Sequence, residues 1–308
     1  MAILSYLVTS LTSYLALTVS LFGLSLKFPR AGFFARCLAA YGCLIVCASY
    51  GVVASIVLRL FGYGGLSQWT VACSFKWAMR LCTGSRFEVV SGTEHLSTRP
   101  AVFISNHQTE LDVLLLGAIF PPYCSVTAKK SLSRVPVLGW FMTLSGTVFI
   151  DRANRETALK AFDGAADQMR REKQSVFIFP EGTRSYSADP VLLPFKKGAF
   201  HLAIKAGVDI VPIVAENYAH LLDAKKLRFE AGTIRWSNLA NAHLVLPPLS
   251  TKNLQSSDVD ELTKKARESM LVVLQDMYKT RDTGNMDKSS SRSPVAMASH
   301  ASSTAIEI

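Results

Sequence analysis

Asn106-His107-Gln108-Thr109-Glu110-Leu111-Asp112 lies between two apolar runs, residues 101–104 before it and residues 113–119 after it. The first run has the length and composition of a buried strand, and the second continues as a helix. A histidine at a strand end, with a carboxylate five residues later, is a general base beside a group able to orient it. Within one continuous helix, residues five apart lie roughly 140° apart around the axis and face different directions. The pair therefore meets only if the helix begins between them, with His107 in a loop folded back over the first turn. Thr109 is the N-cap candidate, which puts Asp112 at the third helical position. The same residues support a plainer reading. Thr109-x-x-Asp112 resembles a capping box, in which Asp112 only satisfies an amide and His107 is a hydrogen-bonded loop residue. The stretch alone does not choose between the two.

Composition narrows the setting. The chain has 308 residues, enough for one sizeable domain and additions to it. A mean hydropathy of +0.25 is high for a soluble enzyme and points to segments in lipid. The formal charge of +10 favours an anionic partner: membrane surface, phosphorylated small molecule or nucleic acid. Lys and Arg are scattered and no nucleic-acid-binding motif is evident, so phosphate or lipid is expected and nucleic acid is not. The six cysteines include no C-x-x-C pair, which argues against a zinc framework or a disulfide scaffold.

Residues 1–26 and 37–58 are uncharged, apolar runs flanked by Lys27, Arg36 and Arg59. Each is long enough to cross a hydrocarbon core, which takes about 20 helical residues. A signal peptide fits poorly, since no basic region opens the chain and a second run follows closely. Residues 1–60 are thus expected to be two membrane helices. They form either two full spans or a shallow hairpin that leaves the basic connector and the following domain on one side. Residues 61–84 read as an interfacial amphipathic segment, with Trp69, Trp77, Lys76 and Arg80, or equally as an ordinary packed helix.

From residue 85 short strands and helices alternate, which predicts an α/β domain, a mixed sheet covered by helices, running to residue 280. Candidate strands are 87–90, 101–104, 125–127, 147–150, 176–179 and 210–214, with a later pair within 227–247. Amphipathic helices are predicted over 156–171 and 257–280. Residues 281–308 are Ser-rich and poor in large apolar side chains, the composition of a disordered tail.

Three further stretches carry polar chemistry. Phe179-Pro180-Glu181-Gly182-Thr183-Arg184-Ser185 follows a core strand. Pro and Gly force a tight turn there, and its amides, with Thr183, Arg184 and Ser185, suit a phosphate cradle. Phe149-Ile150-Asp151-Arg152 ends another strand, and Arg152 is either a phosphate ligand or half of a local ion pair. Lys129-Lys130 and Lys196-Lys197 are candidates to join the cradle, or are solvated surface charge. The apolar run 135–149 is core or the lining of an acyl channel.

His107-x-x-x-x-Asp112, Phe149-Ile150-Asp151-Arg152, Phe179-Pro180-Glu181-Gly182-Thr183-Arg184-Ser185 and Val211-Pro212-Ile213-Val214 occur in that order. Together they resemble the lysophosphatidic acid acyltransferases of the glycerolipid acyltransferase family, across residues 85–250. The resemblance implies acyl transfer from acyl-CoA, as co-substrate, to the sn-2 hydroxyl of lysophosphatidic acid, with no bound cofactor and no metal. It implies His107 as general base and Asp112 as its orienter. Glu181, Gly182, Thr183 and Arg184 would form the acceptor-binding turn, and Arg184, Arg152 and Lys129 would hold the phosphate. The family also implies an integral membrane protein of the endoplasmic reticulum. Two departures stand out: Thr109 occupies a position where Ser is frequent, and Ala215 one where proline is frequent. Competing readings are an acyltransferase for glycerol-3-phosphate or another lysophospholipid, and a non-catalytic protein binding anionic lipid. A metal-dependent hydrolase lacks a convincing ligand set.

Overall fold

A computed structural model describes residues 1–89, 93–236 and 247–290. Two long helices lead, α1 (Ala2–Ser25) and α2 (Pro29–Leu60), followed by α3 (Ser67–Thr83) and β1 (Ser85–Val89). Then come β2 (Ala101–Ser105), α4 (Asp112–Ile119), β3 (Cys124–Lys129), α5 (Leu138–Leu144), β4 (Val148–Ile150), α6 (Arg155–Glu172) and β5 (Ser175–Ile178). The chain continues through α7 (Gly198–Ala206), β6 (Asp209–Ile213), β7 (Leu222–Asp223), β8 (Arg228–Phe229), β9 (Gly232–Trp236) and α8 (Val259–Ser290).

Five strands make the central sheet, in the order β4-β3-β5-β2-β6, and each neighbouring pair is parallel. Parallel neighbours need long crossovers, and helices supply them here. The mixed character expected from sequence is slight: one antiparallel bridge, Ile210 to Leu249, touches this sheet, and the β7–β8 ribbon lies apart from it. β1 and β9 form a separate parallel pair. Every residue of β2 and β5 is buried, as befits strands covered on both faces. Val102, Ile104, Val176 and Ile178 pack with Met169, Phe200 and Met270 from α6, α7 and α8. Ala101, Phe103 and Phe177 face the other way, toward Ile119, Phe120 and Trp69.

The helix predicted over 156–171 is α6, capped by the Asn154 side chain, which accepts from the Thr157 N–H at 3.0 Å. α8 continues to Ser290, through the first ten residues of the segment expected to be a tail, and residues 291–308 lie outside the described residues. Of the strand pair sought within 227–247, β8 and β9 are present, and residues 237–246 lie outside the described residues, as does Val90.

Both α1 and α2 are long and apolar enough to cross a membrane, by length and composition. Thr18 is the one buried side chain of α1. A flank of small residues on α2, among them Ala35, Cys47, Ala48 and Gly51, is buried against the domain. Gly51 permits that approach: a Cβ there would stand 2.5 Å from the Phe141 ring of α5 and 2.8 Å from Val71 of α3. Helix α3 packs one face against the domain. Val71, Phe75 and Met79 are buried, while Trp77 and Leu81 are exposed.

Candidate active site

β2 and β5 are adjacent and parallel, so the loops leaving them emerge at the same sheet edge. Ile104 pairs with Ile178, and three residues beyond each stand His107 and Glu181. The His107 N–H donates to Glu181 Oε1 at 2.8 Å, and Glu181 Oε2 accepts from the Leu193 N–H at 2.9 Å. The two loops are tied again where Ser185 N donates to His107 O (2.9 Å) and Tyr186 N to Gln108 O (3.1 Å). The His107 ring stacks on Phe179, centroids 4.2 Å apart and planes 19° apart. Its orientation is thus set from below by an aromatic ring and from behind by the backbone.

His107 Nδ1 and Asp112 Oδ2 are 2.6 Å apart. The helix does begin between them, at a different residue from the one sequence suggested. Thr109 is not the N-cap: α4 starts at Asp112, which is its first helical residue instead of its third. A separate turn precedes it, with Thr109 O accepting from Asp112 N at 3.3 Å and Thr109 Oγ1 from Leu111 N at 3.1 Å. The capping interaction still forms in part, since Asp112 Oδ2 also accepts from Gln108 N (2.6 Å) and Thr109 N (3.1 Å). One carboxylate therefore closes the loop and orients the imidazole, and the two sequence readings describe the same atoms. Asp112 is fully buried, whereas the His107 side chain keeps 16% of its surface exposed. With Nδ1–H directed at a carboxylate, the neutral ring carries its lone pair on Nε2.

Glu181 is buried with both oxygens committed to backbone amides. It braces the His107 loop from within. Burial pushes its carboxyl above the ordinary glutamate range, and the His107 and Leu193 amides oppose that rise. Gly182 adopts φ +69°, and a Cβ there would meet Lys196 Cε at 2.9 Å, so Lys196 lies across the turn. Thr183 is exposed. Arg184 NH1 lies 3.1 Å from Glu110 Oε1 and 3.4 Å from the Tyr186 hydroxyl, which donates to the same Glu110 oxygen at 2.6 Å.

His107, Asp112, Glu181, Gly182 and Arg184 are thus brought together. Lys129 and Arg152 are exposed at the ends of β3 and β4, on the same edge but one and two strands beyond β5. Neighbouring strands are about 4.8 Å apart, so Arg152 stands at the margin of the site. Lys197 pairs with Asp260 at 2.5 Å, away from the turn. Among the described residues, no group of three or more His, Cys, Asp or Glu is placed to hold a metal.

The segment after β6 was not legible as part of the site. Asn106 donates through Nδ2 to Ala215 O (3.1 Å) and accepts from Ala215 N through Oδ1 (2.8 Å). Proline at position 215 has no N–H to give, so the departure noted in sequence creates this clamp. Gln108 Nε2 donates to Glu216 O at 2.8 Å, and Asn217 Nδ2 reaches Ser187 O and Asp189 O at 3.0 and 3.1 Å. Tyr218, fully buried, donates its hydroxyl to Asp112 Oδ1. No spacing rule links a tyrosine 106 residues downstream to that carboxylate.

A family model described as Acyltransferase matches residues 88–216. The chain is 43% identical over 231 residues to a 1-acyl-sn-glycerol-3-phosphate acyltransferase of Saccharomyces cerevisiae, spanning 75% of this chain and 74% of that one. It is 34% identical over 268 residues to the human 1-acyl-sn-glycerol-3-phosphate acyltransferase beta, covering 86% and 92% of the two chains. The crystal structure of the lysophosphatidic acid acyltransferase PlsC from Thermotoga maritima superposes with a TM-score of 0.58 at 21% identity. That overlap covers 88% of this chain and 97% of the other, a likeness of fold.

Proposed function

The chain belongs to the 1-acyl-sn-glycerol-3-phosphate acyltransferase family, and from that premise we propose that it moves a fatty acyl group from acyl-CoA to the sn-2 hydroxyl of lysophosphatidic acid, giving phosphatidic acid. The observation that carries the mechanism is the 2.6 Å contact between His107 Nδ1 and buried Asp112. His107 Nε2 takes the proton of the sn-2 hydroxyl as its oxygen attacks the thioester carbonyl. The carbon–sulfur bond breaks, the ester forms, and the proton passes from the imidazolium to the departing thiolate. A positioned base contributes about 10²–10⁴-fold to such a step. Asp112 holds the tautomer and stabilises the imidazolium while it exists. A thioester already carries a good leaving group, so a single displacement suffices and no acyl-enzyme forms. Arg184, with Lys196 beside it over Gly182, receives the acceptor phosphate, and Lys129 and Arg152 extend the positive edge.

The apolar helices α1 and α2 hold the enzyme at the bilayer, as a hairpin in one leaflet of the endoplasmic reticulum. His107→Ala is expected to abolish transfer while expression and membrane association persist. Near-normal turnover by that variant removes His107 from the chemistry. Labelled acyl-CoA offered with lysophosphatidate, glycerol-3-phosphate or other lysophospholipids tests the acceptor, and preference for glycerol-3-phosphate overturns this assignment. Trapping an acylated protein during turnover overturns the single displacement.

A further inference from the structure

We propose that Tyr218 is a positioning residue for acyl transfer: by holding the second oxygen of Asp112, its hydroxyl sets how strongly that carboxylate draws a proton onto His107. The inference rests on the reading of His107 as the base.

A carboxylate only accepts, so the single hydroxyl proton of Tyr218 goes to Asp112 Oδ1. The phenolic oxygen then accepts from Thr109 N at 3.2 Å and Thr109 Oγ1 at 3.1 Å. Burial, with the Asp112 charge beside it, pushes the Tyr218 phenol well above its ordinary range, so it remains a donor. Oδ2 receives His107 Nδ1, Gln108 N and Thr109 N, whereas Tyr218 is the partner on Oδ1. Each donor spreads the negative charge that otherwise stabilises an imidazolium. Among the described residues, titratable groups beside this pair include Glu181 after β5 and the Glu110–Arg184–Tyr186 set on the two loops. All of them survive a change at Tyr218. The ring itself is seated by packing with Phe75 and Met79 of α3 and with Leu111, Leu221 and Leu222.

The test is the pH profile of kcat/KM for the purified full-length enzyme with acyl-CoA and lysophosphatidate. It is run beside the pH dependence of inactivation by diethyl pyrocarbonate, which reads the neutral imidazole without turnover. Tyr218→Phe removes one donor, concentrates charge toward His107 and stabilises its protonated form. The acidic limb is expected to move to higher pH by about one unit in both measurements, and kcat to fall by about tenfold with acceptor KM little changed. Site-specific 3-fluorotyrosine at 218 keeps the shape and makes the hydroxyl a stronger donor, so the limb should move to lower pH. That variant decides the matter if Tyr218→Phe does not fold. Lower activity with the limb unmoved in either variant, while His107→Ala is inactive, overturns the role of Tyr218 alone. An active His107→Ala removes the reading beneath it.

Discussion

Arg184 and Glu110 meet at 3.1 Å with roughly half of each side chain exposed. Such a pair contributes little to stability, so under the role proposed for Arg184 an incoming phosphate would displace the carboxylate at small cost, and Glu110 would occupy the guanidinium until then. Arg184→Ala is expected to raise the acceptor KM at least tenfold, leaving acyl-CoA dependence unchanged. Glu110→Gln should do the reverse, lowering acceptor KM several-fold with kcat nearly constant. If Glu110→Gln raises that KM, the carboxylate orients Arg184 instead of competing for it. Asn106 offers a separate check. Asn106→Ala leaves the buried Ala215 N–H without its 2.8 Å acceptor, a loss of about 1–3 kcal/mol. An unchanged melting temperature contradicts that. His107, Asp112 and Arg184 could be named from motif chemistry, because each has a polar partner within a few residues or an adjoining turn. Tyr218 could not, because only the return of the chain after β6 carries it to Asp112.

Among the elements, α4 and the junction of α2 with α5 show where pattern reading stops. The apolar run 113–119 located α4, but its first residue depended on whether Asp112 or Thr109 satisfied the preceding amides, a competition between two short polar side chains. Likewise α8 outlasts its apolar periodicity, running to Ser290 through residues whose composition alone suggested disorder. Gly51 lies inside a long apolar helix, and nothing local distinguishes it from a lipid-facing glycine. Its role appears once Phe141 and Val71 are seen at 2.5 and 2.8 Å from the absent Cβ. Gly51→Leu is therefore expected to push α2 from α3 and α5, costing about 1–3 kcal/mol by overpacking. Thermal unfolding in detergent measures this, and a melting temperature equal to wild type sinks the account.

For the whole molecule, the lie of α2 bears on how the enzyme meets the bilayer. Arg36 donates to Thr83 O and Phe229 O at 3.2 and 3.1 Å, and Arg59 to Leu144 O at 2.8 Å. The helix is thus fastened to the domain near both ends of its apolar stretch. Its 32 residues span about 48 Å, more than the roughly 30 Å hydrocarbon core. Standing upright, it would pull α3 and α5 into the hydrocarbon. The proposed hairpin, lying along the surface, would keep the domain in water and leave α1, largely unburied, against lipid. Met1, the connector at Lys27 and the domain are then expected on one side. In sealed vesicles, a tag inserted in the connector at Lys27 and the catalytic domain should be equally open to protease, and protection of the connector tag alone would require two full spans.

By itself the sequence determined the α/β class, the apolar lead segments and the residues with chemistry to offer, because periodicity, turn residues and motif spacing are local properties of the chain. Tertiary structure decided that Glu181 braces a loop, that Arg152 stands two strands beyond β5, and that Tyr218 completes the shell of Asp112. Those outcomes depend on strand order and on which distant segment returns beside which. Contacts between residues far apart in the chain are set by packing the whole core, and no local pattern records them.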